Sequence, residues 1–279
     1  MKKKSNGLLY PKAFALLAVL ALSSCDKNNE EMTTEATSKP TINENVKKGR
    51  LNGQDITYIR KDGLNFFQGD IVLTDEQLAG NDTKQQKGGA SYSRWPQGIV
   101  YYTIASNMGS INKDKITAAI KEYSDKTNVK WVPKTSWLQW NYVDFIFGSS
   151  TGADGWANIG YRGGRQVVSL DQYISIPSVM HEMGHSIGLY HEHTRQDRDQ
   201  YVNILWDNIQ SGQEGNFSKY SSGEDIGAFD INSLMMYWST SYSKNGLATI
   251  QKADGSDFTY NRTGFTNTDI ATINKMYPK

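Results

Sequence analysis

All four histidines of this chain fall between positions 181 and 193. In His181-Glu182-Met183-Gly184-His185 two imidazoles stand four residues apart, which on a helix places both on one face. Gly188 can adopt the left-handed backbone that ends a helix and turns the chain, so His191 can return to the same point as a third ligand. Three neutral ring nitrogens leave one position open for water, the arrangement of catalytic rather than structural zinc sites. Glu182 follows the first ligand directly, where its carboxylate can take a proton from that water as it attacks a peptide carbonyl and then pass it to the leaving amine. The metal would lower the water's pKa and polarise the carbonyl.

A bare HExxH arises by chance in roughly a few per cent of chains this long, so Gly188 and His191 at fixed offsets carry most of the specificity. The competing explanation, a buried helix with satisfied histidines, must account for three His and a Glu converging at one turn. His193 has no ligand spacing and reads as a surface histidine.

The formal net charge of +1 over 279 residues supplies no basic field for nucleic acid. Lys2, Lys3, Lys4 and Lys12 accompany an uncharged apolar run, Ala13 to Leu22, of about ten residues. That run is shorter than the ~20 residues of a membrane-spanning helix and suits the core of a signal peptide over residues 1–24. It ends in Leu22-Ser23-Ser24-Cys25, which resembles the lipobox of bacterial lipoproteins, whose cysteine is acylated after cleavage. Cys25 is the only cysteine, so the mature part has no disulfide although export would permit one. A lipid anchor, a thiol capping the zinc in a latent form, and an incidental residue are three roles open to it.

Residues 26–50 are polar, with almost no large apolar side chains, and read as a disordered tether or the start of a pro-segment. Apolar content returns in Ile56-Thr57-Tyr58-Ile59 and Phe66-Phe67-Gln68-Gly69-Asp70-Ile71-Val72-Leu73. It falls again over Asn81 to Ser91, a candidate exposed cleavage loop. The main domain is expected to begin near Gly88. Ile99 to Ile104, Val129 to Val132, Asp144 to Phe147 and Gln166 to Leu170 are expected strands. Asn112 to Thr127, with Asn112 as cap, Ser175 to Tyr190, with Pro177 in its first turn, and Asn267 to Met276 are expected helices. Most of the seven Trp and sixteen Tyr are expected in the core and sheet.

The run His181-Glu182-Met183-Gly184-His185-Ser186-Ile187-Gly188-Leu189-Tyr190-His191-Glu192-His193-Thr194-Arg195-Gln196-Asp197-Arg198-Asp199 resembles the astacin signature HExxHxxGxxHExxRxDRD at every fixed position. Ser233-Leu234-Met235-Met236-Tyr237 is similar to the Met-turn of that family of metzincins, with Met236 in place of the usual His. The likeness runs from Trp95 to Asp269-Ile270. It implies an α+β, two-subdomain catalytic domain over 88–279, with a twisted mixed sheet and a zinc-binding active-site helix. It implies one Zn2+ held by His181, His185, His191 and the Tyr237 phenol, the last swinging away to support the tetrahedral intermediate. Met235 would floor the site, and Glu192 would meet the new amino terminus of the trimmed enzyme through water. Arg195, Asp197, Arg198 and Asp199 are assigned to structural ion pairs. The lack of disulfides resembles bacterial relatives.

Phe67-Gln68-Gly69-Asp70 resembles the FxGD motif of astacin pro-segments, which implies that Asp70 replaces the catalytic water on zinc in a latent form. Residues 25–87 would then be tether and pro-segment, removed by an activating protease between Asp82 and Ser91, with Lys84 and Lys87 as candidate sites. Substrate would add antiparallel to an edge strand expected near Gly155 to Tyr161, and Arg262 is a candidate for an acidic-residue pocket. The reading is a monomeric, exported or surface-anchored zinc endopeptidase acting on proteins or peptides. Its rivals are a zinc exopeptidase or amidase on cell-wall peptides and a lipid-anchored binding protein with a vestigial metal site.

Overall fold

A computed structural model describes residues 45–79, 94–148, 154–220, 223–260 and 263–279. Residues 1–24, Cys25, the Asn81 to Ser91 loop with Lys84 and Lys87, Gly88 and Arg262 lie outside the described residues.

The described residues open with a meander, β1 (Val46–Leu51), β2 (Gln54–Lys61), β3 (Leu64–Phe67) and β4 (Ile71–Leu73), followed by the single-turn helix α1 (Asp75–Leu78). Asn52-Gly53 and Asp62-Gly63, with φ of 54° and 83° and of 51° and 79°, close the first two hairpins as two-residue left-handed turns. That turn type suits the twist of paired strands. The expected tether is thus structured at its end, because Val46 to Leu51 pairs in register with Ile59 to Gln54.

Next come β5 (Ile99–Ile104), α2 (Ser110–Lys126), β6 (Lys130–Pro133), β7 (Tyr142–Phe147), β8 (Gly155–Asn158) and β9 (Arg165–Leu170). The helix α3 (Ile176–Ser186) follows, then β10 (Val202–Ile204), β11 (Ile250–Lys252) and the helix α4 (Asn267–Met276). Among the described residues nine strands make one mixed sheet, ordered β1-β2-β3-β4-β8-β9-β7-β5-β6. The upstream meander joins it through β4 alone, which runs parallel to β8 with Ile71 opposite Ala157 and Val72 opposite Asn158. Consequently β8, the expected edge, is covered by β4 on one side and by β9 on the other.

One face of the sheet packs on α2 and α3 through Val100, Val143, Phe145, Val168, Ile116, Tyr123, Val179 and Met183. A second cluster joins Leu51, Phe67, Ile71 and Leu73 to Ile159 and Tyr220, so the meander shares a core with the later part of the chain. After α3 the chain is mostly irregular, gathered around Val202, Phe217, Met236, Tyr237 and Ile250.

Two helix limits differ from expectation. Gly109 rather than Asn112 caps α2, and Asn112 is buried, its amide donating to the Asp171 carbonyl at 2.9 Å. The zinc helix ends at Ser186 rather than Tyr190. There Gly188 takes φ 108° and the Leu189 N–H turns back to the Gly184 carbonyl. The aromatic expectation also fails for tryptophan. Trp95, Trp131 and Trp156 are buried, but Trp137, Trp140, Trp206 and Trp238 are 47–70 % exposed. None of these last four lies in a strand, and strand periodicity carries no signal for loop positions.

Candidate metal centre

Ser175 caps α3 by accepting from the Ser178 N–H, and Pro177 sits in the first turn, where no N–H is needed. The carbonyls at the far end are met by side chains: Trp95 Nε1 donates to Ser186 and Tyr277 to Ile187, at 2.9 and 2.8 Å. Tyr123 donates to the Met180 carbonyl at 2.9 Å. The helix carrying His181, Glu182 and His185 is therefore pinned along its length, and all three side chains are buried.

His181 and His185 stand with their Nε2 atoms 3.1 Å apart, and His191 Nε2 lies 3.3 Å from His181 Nε2. At the other ring nitrogen, His181 Nδ1 donates to the Leu234 carbonyl at 2.8 Å and His185 Nδ1 to the Leu189 carbonyl at 2.7 Å. A carbonyl only accepts, so each Nδ1 holds a proton, and in its neutral form each ring turns a lone pair inward. Lone pairs facing one another at this distance repel unless a cation lies between them. A tetrahedral ion with arms of ~2.0–2.1 Å holds its donors roughly 3.3 Å apart, which is the observed spacing. The donor set fits zinc.

Asp70 completes it. In the loop between β3 and β4, its carboxylate oxygens lie 3.3 Å from the Nε2 of His181, His185 and His191. These four residues are the one metal-competent group of His, Cys, Asp and Glu among the described residues. Burial alone would raise the Asp70 carboxyl; positive charge among His191, His185 and His181, carried by the rings or by a cation between them, holds it well below the usual range. Its main-chain carbonyl accepts from the Ala157 N–H at 2.9 Å, which fastens the loop to β8.

Glu182 lies against β8, where a Cβ placed on Gly155 would meet its Cγ at 3.0 Å. Met235 lies under α3, where a Cβ on Gly184 would meet its sulfur at 2.8 Å. Tyr237, buried, donates to the Gln68 carbonyl at 2.6 Å and also hydrogen-bonds the Tyr242 hydroxyl. In this arrangement the Tyr237 hydroxyl is engaged by the upstream segment.

Glu192 accepts from the Asp230 N–H at 2.8 Å and lies 3.7 Å from the Arg195 guanidinium. Burial pushes its carboxyl up to about 8 against the pull of Arg195 and of that N–H. The ion pairs expected downstream are present: Arg195 grips Asp197 by two bonds of 2.9 and 2.8 Å, and Arg198 meets Asp199 at 2.9 Å. Arg198 also donates to the carbonyls of His193, at 2.9 Å, and of Phe217.

His193 corrects the sequence reading. It is fully buried, donates from Nε2 to the Asn216 carbonyl at 3.0 Å, and lies over Tyr237 with ring centres 4.0 Å apart. Burial, with His191 beside it, drops its pKa well below the usual imidazole value, so it is neutral. Spacing rules identify ligands; they carry no signal for a ring that packs behind one.

Asp269 was missed in a different way. From α4 it accepts from the Ser233 hydroxyl at 2.7 Å and from the Leu234 and Thr266 N–H groups at 3.0 Å. It thereby fixes the turn whose Leu234 carbonyl orients His181. The pattern Thr266-x-x-Asp269, a capping box, was the available signal.

A family model of the astacins, a family of peptidases, matches residues 88–278. Zinc metalloproteinase nas-15 of Caenorhabditis elegans is 34 % identical over 229 residues, 76 % of this chain but 39 % of its own length. The low choriolytic enzyme of Oryzias latipes is 30 % identical over 284 residues, covering 97 % of this chain and 98 % of the relative. Among solved structures, the high choriolytic enzyme 1 of Oryzias latipes, a hatching-enzyme zinc protease, superposes with a TM-score of 0.62 at 26 % identity. That match covers 69 % of this chain and 98 % of that one. The lone pairs converging from a helix and the turn after it, and the family match across that whole region, agree: this chain belongs to the astacin family of zinc peptidases.

Proposed function

We propose that this protein is a zinc-dependent endopeptidase made in a latent form, with residues 25–87 as tether and pro-segment and 88–279 as the catalytic domain. The observation that carries this reading is the Asp70 carboxylate 3.3 Å from three inward-facing imidazoles, with Glu182 one residue beyond the first of them. His181, His185 and His191 would hold the metal, with the Tyr237 phenol as a further ligand once Gln68 is gone. Bound there, zinc supplies a water of lowered pKa and an electrophile for the substrate carbonyl.

The chain's own residues do the rest. Glu182 takes the proton of the attacking water and returns it to the departing amine, so it cycles without net change. Tyr237 donates a hydrogen bond to the oxygen that gains charge as the carbonyl is attacked. Met235 would fill the floor beneath the imidazoles. A substrate strand would pair along β8, the strand that β4 covers. Because β4 runs parallel to β8, the opposite direction from an antiparallel substrate, the segment blocks the cleft without presenting a cleavable bond in register.

Trimming between Asp82 and Ser91 would uncover β8 and release Asp70. It would also bring an ammonium group, through water, to Glu192, whose carboxyl is pushed up by burial to about 8. The amino-terminal reading is an exported, monomeric protein of bacterial type anchored through Cys25, with protein or peptide substrates. The intact Glu182 beside three inward lone pairs favours an enzyme over a binding protein.

The test uses the trimmed chain and a denatured protein substrate. Cleavage of internal bonds, falling by about 10²–10⁴-fold in Glu182→Gln with one zinc retained by metal analysis, is expected. Release of terminal residues only would replace the endopeptidase by an exopeptidase, and undiminished cleavage in Glu182→Gln would remove Glu182 from the chemistry. Mass analysis of the native amino terminus decides acylation of Cys25 and the trimming point.

A further inference from the structure

We propose that the upstream segment secures the metal as well as covering it, and that Gln68 is the residue that does so, as a positioning residue for His191. This rests on the latent-enzyme reading and deepens it.

Each of the three imidazoles is fixed at its Nδ1. For His181 and His185 the acceptors are main-chain carbonyls of the domain itself, Leu234 and Leu189. For His191 the acceptor is the side-chain oxygen of Gln68, at 3.3 Å, from the loop that carries Asp70. The same residue accepts the Tyr237 hydroxyl on its main-chain carbonyl at 2.6 Å. One residue of the upstream segment thus grips two groups of the metal site, one through its side chain and one through its main chain.

The conformation of Gln68 is costly in ways that this double grip explains. It is a non-glycine residue at φ 48°, in the left-handed region. It is fully buried, and its Nε2 has no hydrogen-bond partner among the described residues. A buried amide with an unmet donor destabilises by roughly 1–3 kcal/mol, so the orientation is held by what its oxygen does. Were the amide reversed, its N–H would face the Nδ1–H that an inward lone pair requires, and two donors would clash.

Acceptors behind a ligating histidine fix its tautomer and ring angle and raise its basicity, and losing one typically lowers metal affinity about 10–100-fold. With Asp70 as fourth ligand and Gln68 behind the third, the untrimmed chain is the better zinc binder. Zinc would be loaded before trimming, and trimming would exchange the Asp70 carboxylate and the Gln68 acceptor for the Tyr237 phenol and a position open to water.

The experiment measures zinc transfer from the full-length chain to a chromogenic chelator, with the trimmed chain, Gln68→Met, Gln68→Glu and Asp70→Asn compared. The expected order is wild type close to Gln68→Glu, which keeps an acceptor, with Gln68→Met about 10–100-fold weaker and the trimmed chain weaker than full-length wild type. The cobalt-substituted full-length chain should show a shifted visible spectrum in Gln68→Met and an unshifted one in Gln68→Glu, a signature that general loosening of the fold would not produce. Gln68→Asn, which draws the amide back by one methylene, replaces the methionine variant if that one does not fold. Wild-type zinc retention and spectrum in Gln68→Met overturn the proposal even if Asp70→Asn frees activity in the untrimmed chain. If Asp70→Asn changes neither zinc retention nor activity, the latency reading falls, while the Gln68 comparison still decides this one.

Discussion

Gly69 lies between the two residues that reach the metal site from upstream, so on the latent-enzyme proposal replacing it by alanine should perturb latency without touching the trimmed enzyme. Its φ of 83° is left-handed, where a side chain costs about 1–2 kcal/mol. An added Cβ would land on the Tyr242 hydroxyl and 2.8 Å from the Tyr237 hydroxyl. Neither ring can give way easily: Tyr237 lies against His193 at 4.0 Å between ring centres and against Phe217, and Tyr242 packs on Phe217 and Tyr237. Overpacking of this kind costs about 1–3 kcal/mol. Together the closed arrangement should weaken by roughly 2–5 kcal/mol, a factor of about 30 to several thousand in its equilibrium with an open one. The assay follows an internally quenched peptide with untrimmed Gly69→Ala beside untrimmed wild type. Cleavage should rise at least tens-fold, and the two proteins should become indistinguishable once trimmed, because the altered residue is gone. An untrimmed Gly69→Ala chain as silent and as heat-stable as wild type would refute the steric reasoning.

Two further outcomes follow from the packing. Gly155→Ala should cut kcat of the trimmed enzyme at least about tenfold with zinc retained, because its Cβ would meet the Ser169 carbonyl at 2.8 Å and the Glu182 Cγ at 3.0 Å; unchanged kcat would mean that β8 does not set the position of the carboxylate. In the untrimmed chain Glu192 has a folded pKa of about 8 against an ordinary value of 4.5, so the folded state binds more protons between those limits. Its contribution to stability is full below pH 4.5 and is lost as pH rises through 8, a span worth a few kcal/mol. Denaturant unfolding of Glu192→Gln should therefore lack that downward slope, and an unaltered pH profile would show that Glu192 is ionised throughout.

The convergence of His181, His185 and His191, the place of Glu182 beside them and the helix stop at Gly188 were legible in the sequence, because a helix of fixed pitch converts spacing into direction. β5 and α4 were legible to the residue, since β-branched and aromatic content and the spacing of Ile270, Ile273 and Met276 are local signals. Resemblance to a family was needed for Asp70 and Tyr237, whose motifs mean little out of context. Pairing of β4 with β8, the burial of His193, the Asp269 brace and the double hold of Gln68 all join residues distant in the chain. No periodicity encodes them; they exist only when one packed arrangement brings those atoms together. The sequence by itself determined which atoms could bind a metal and on what local geometry. Only the tertiary structure decided what stands behind each ligand and what covers the site, since hydrogen bonds and steric contact act through space rather than along the chain.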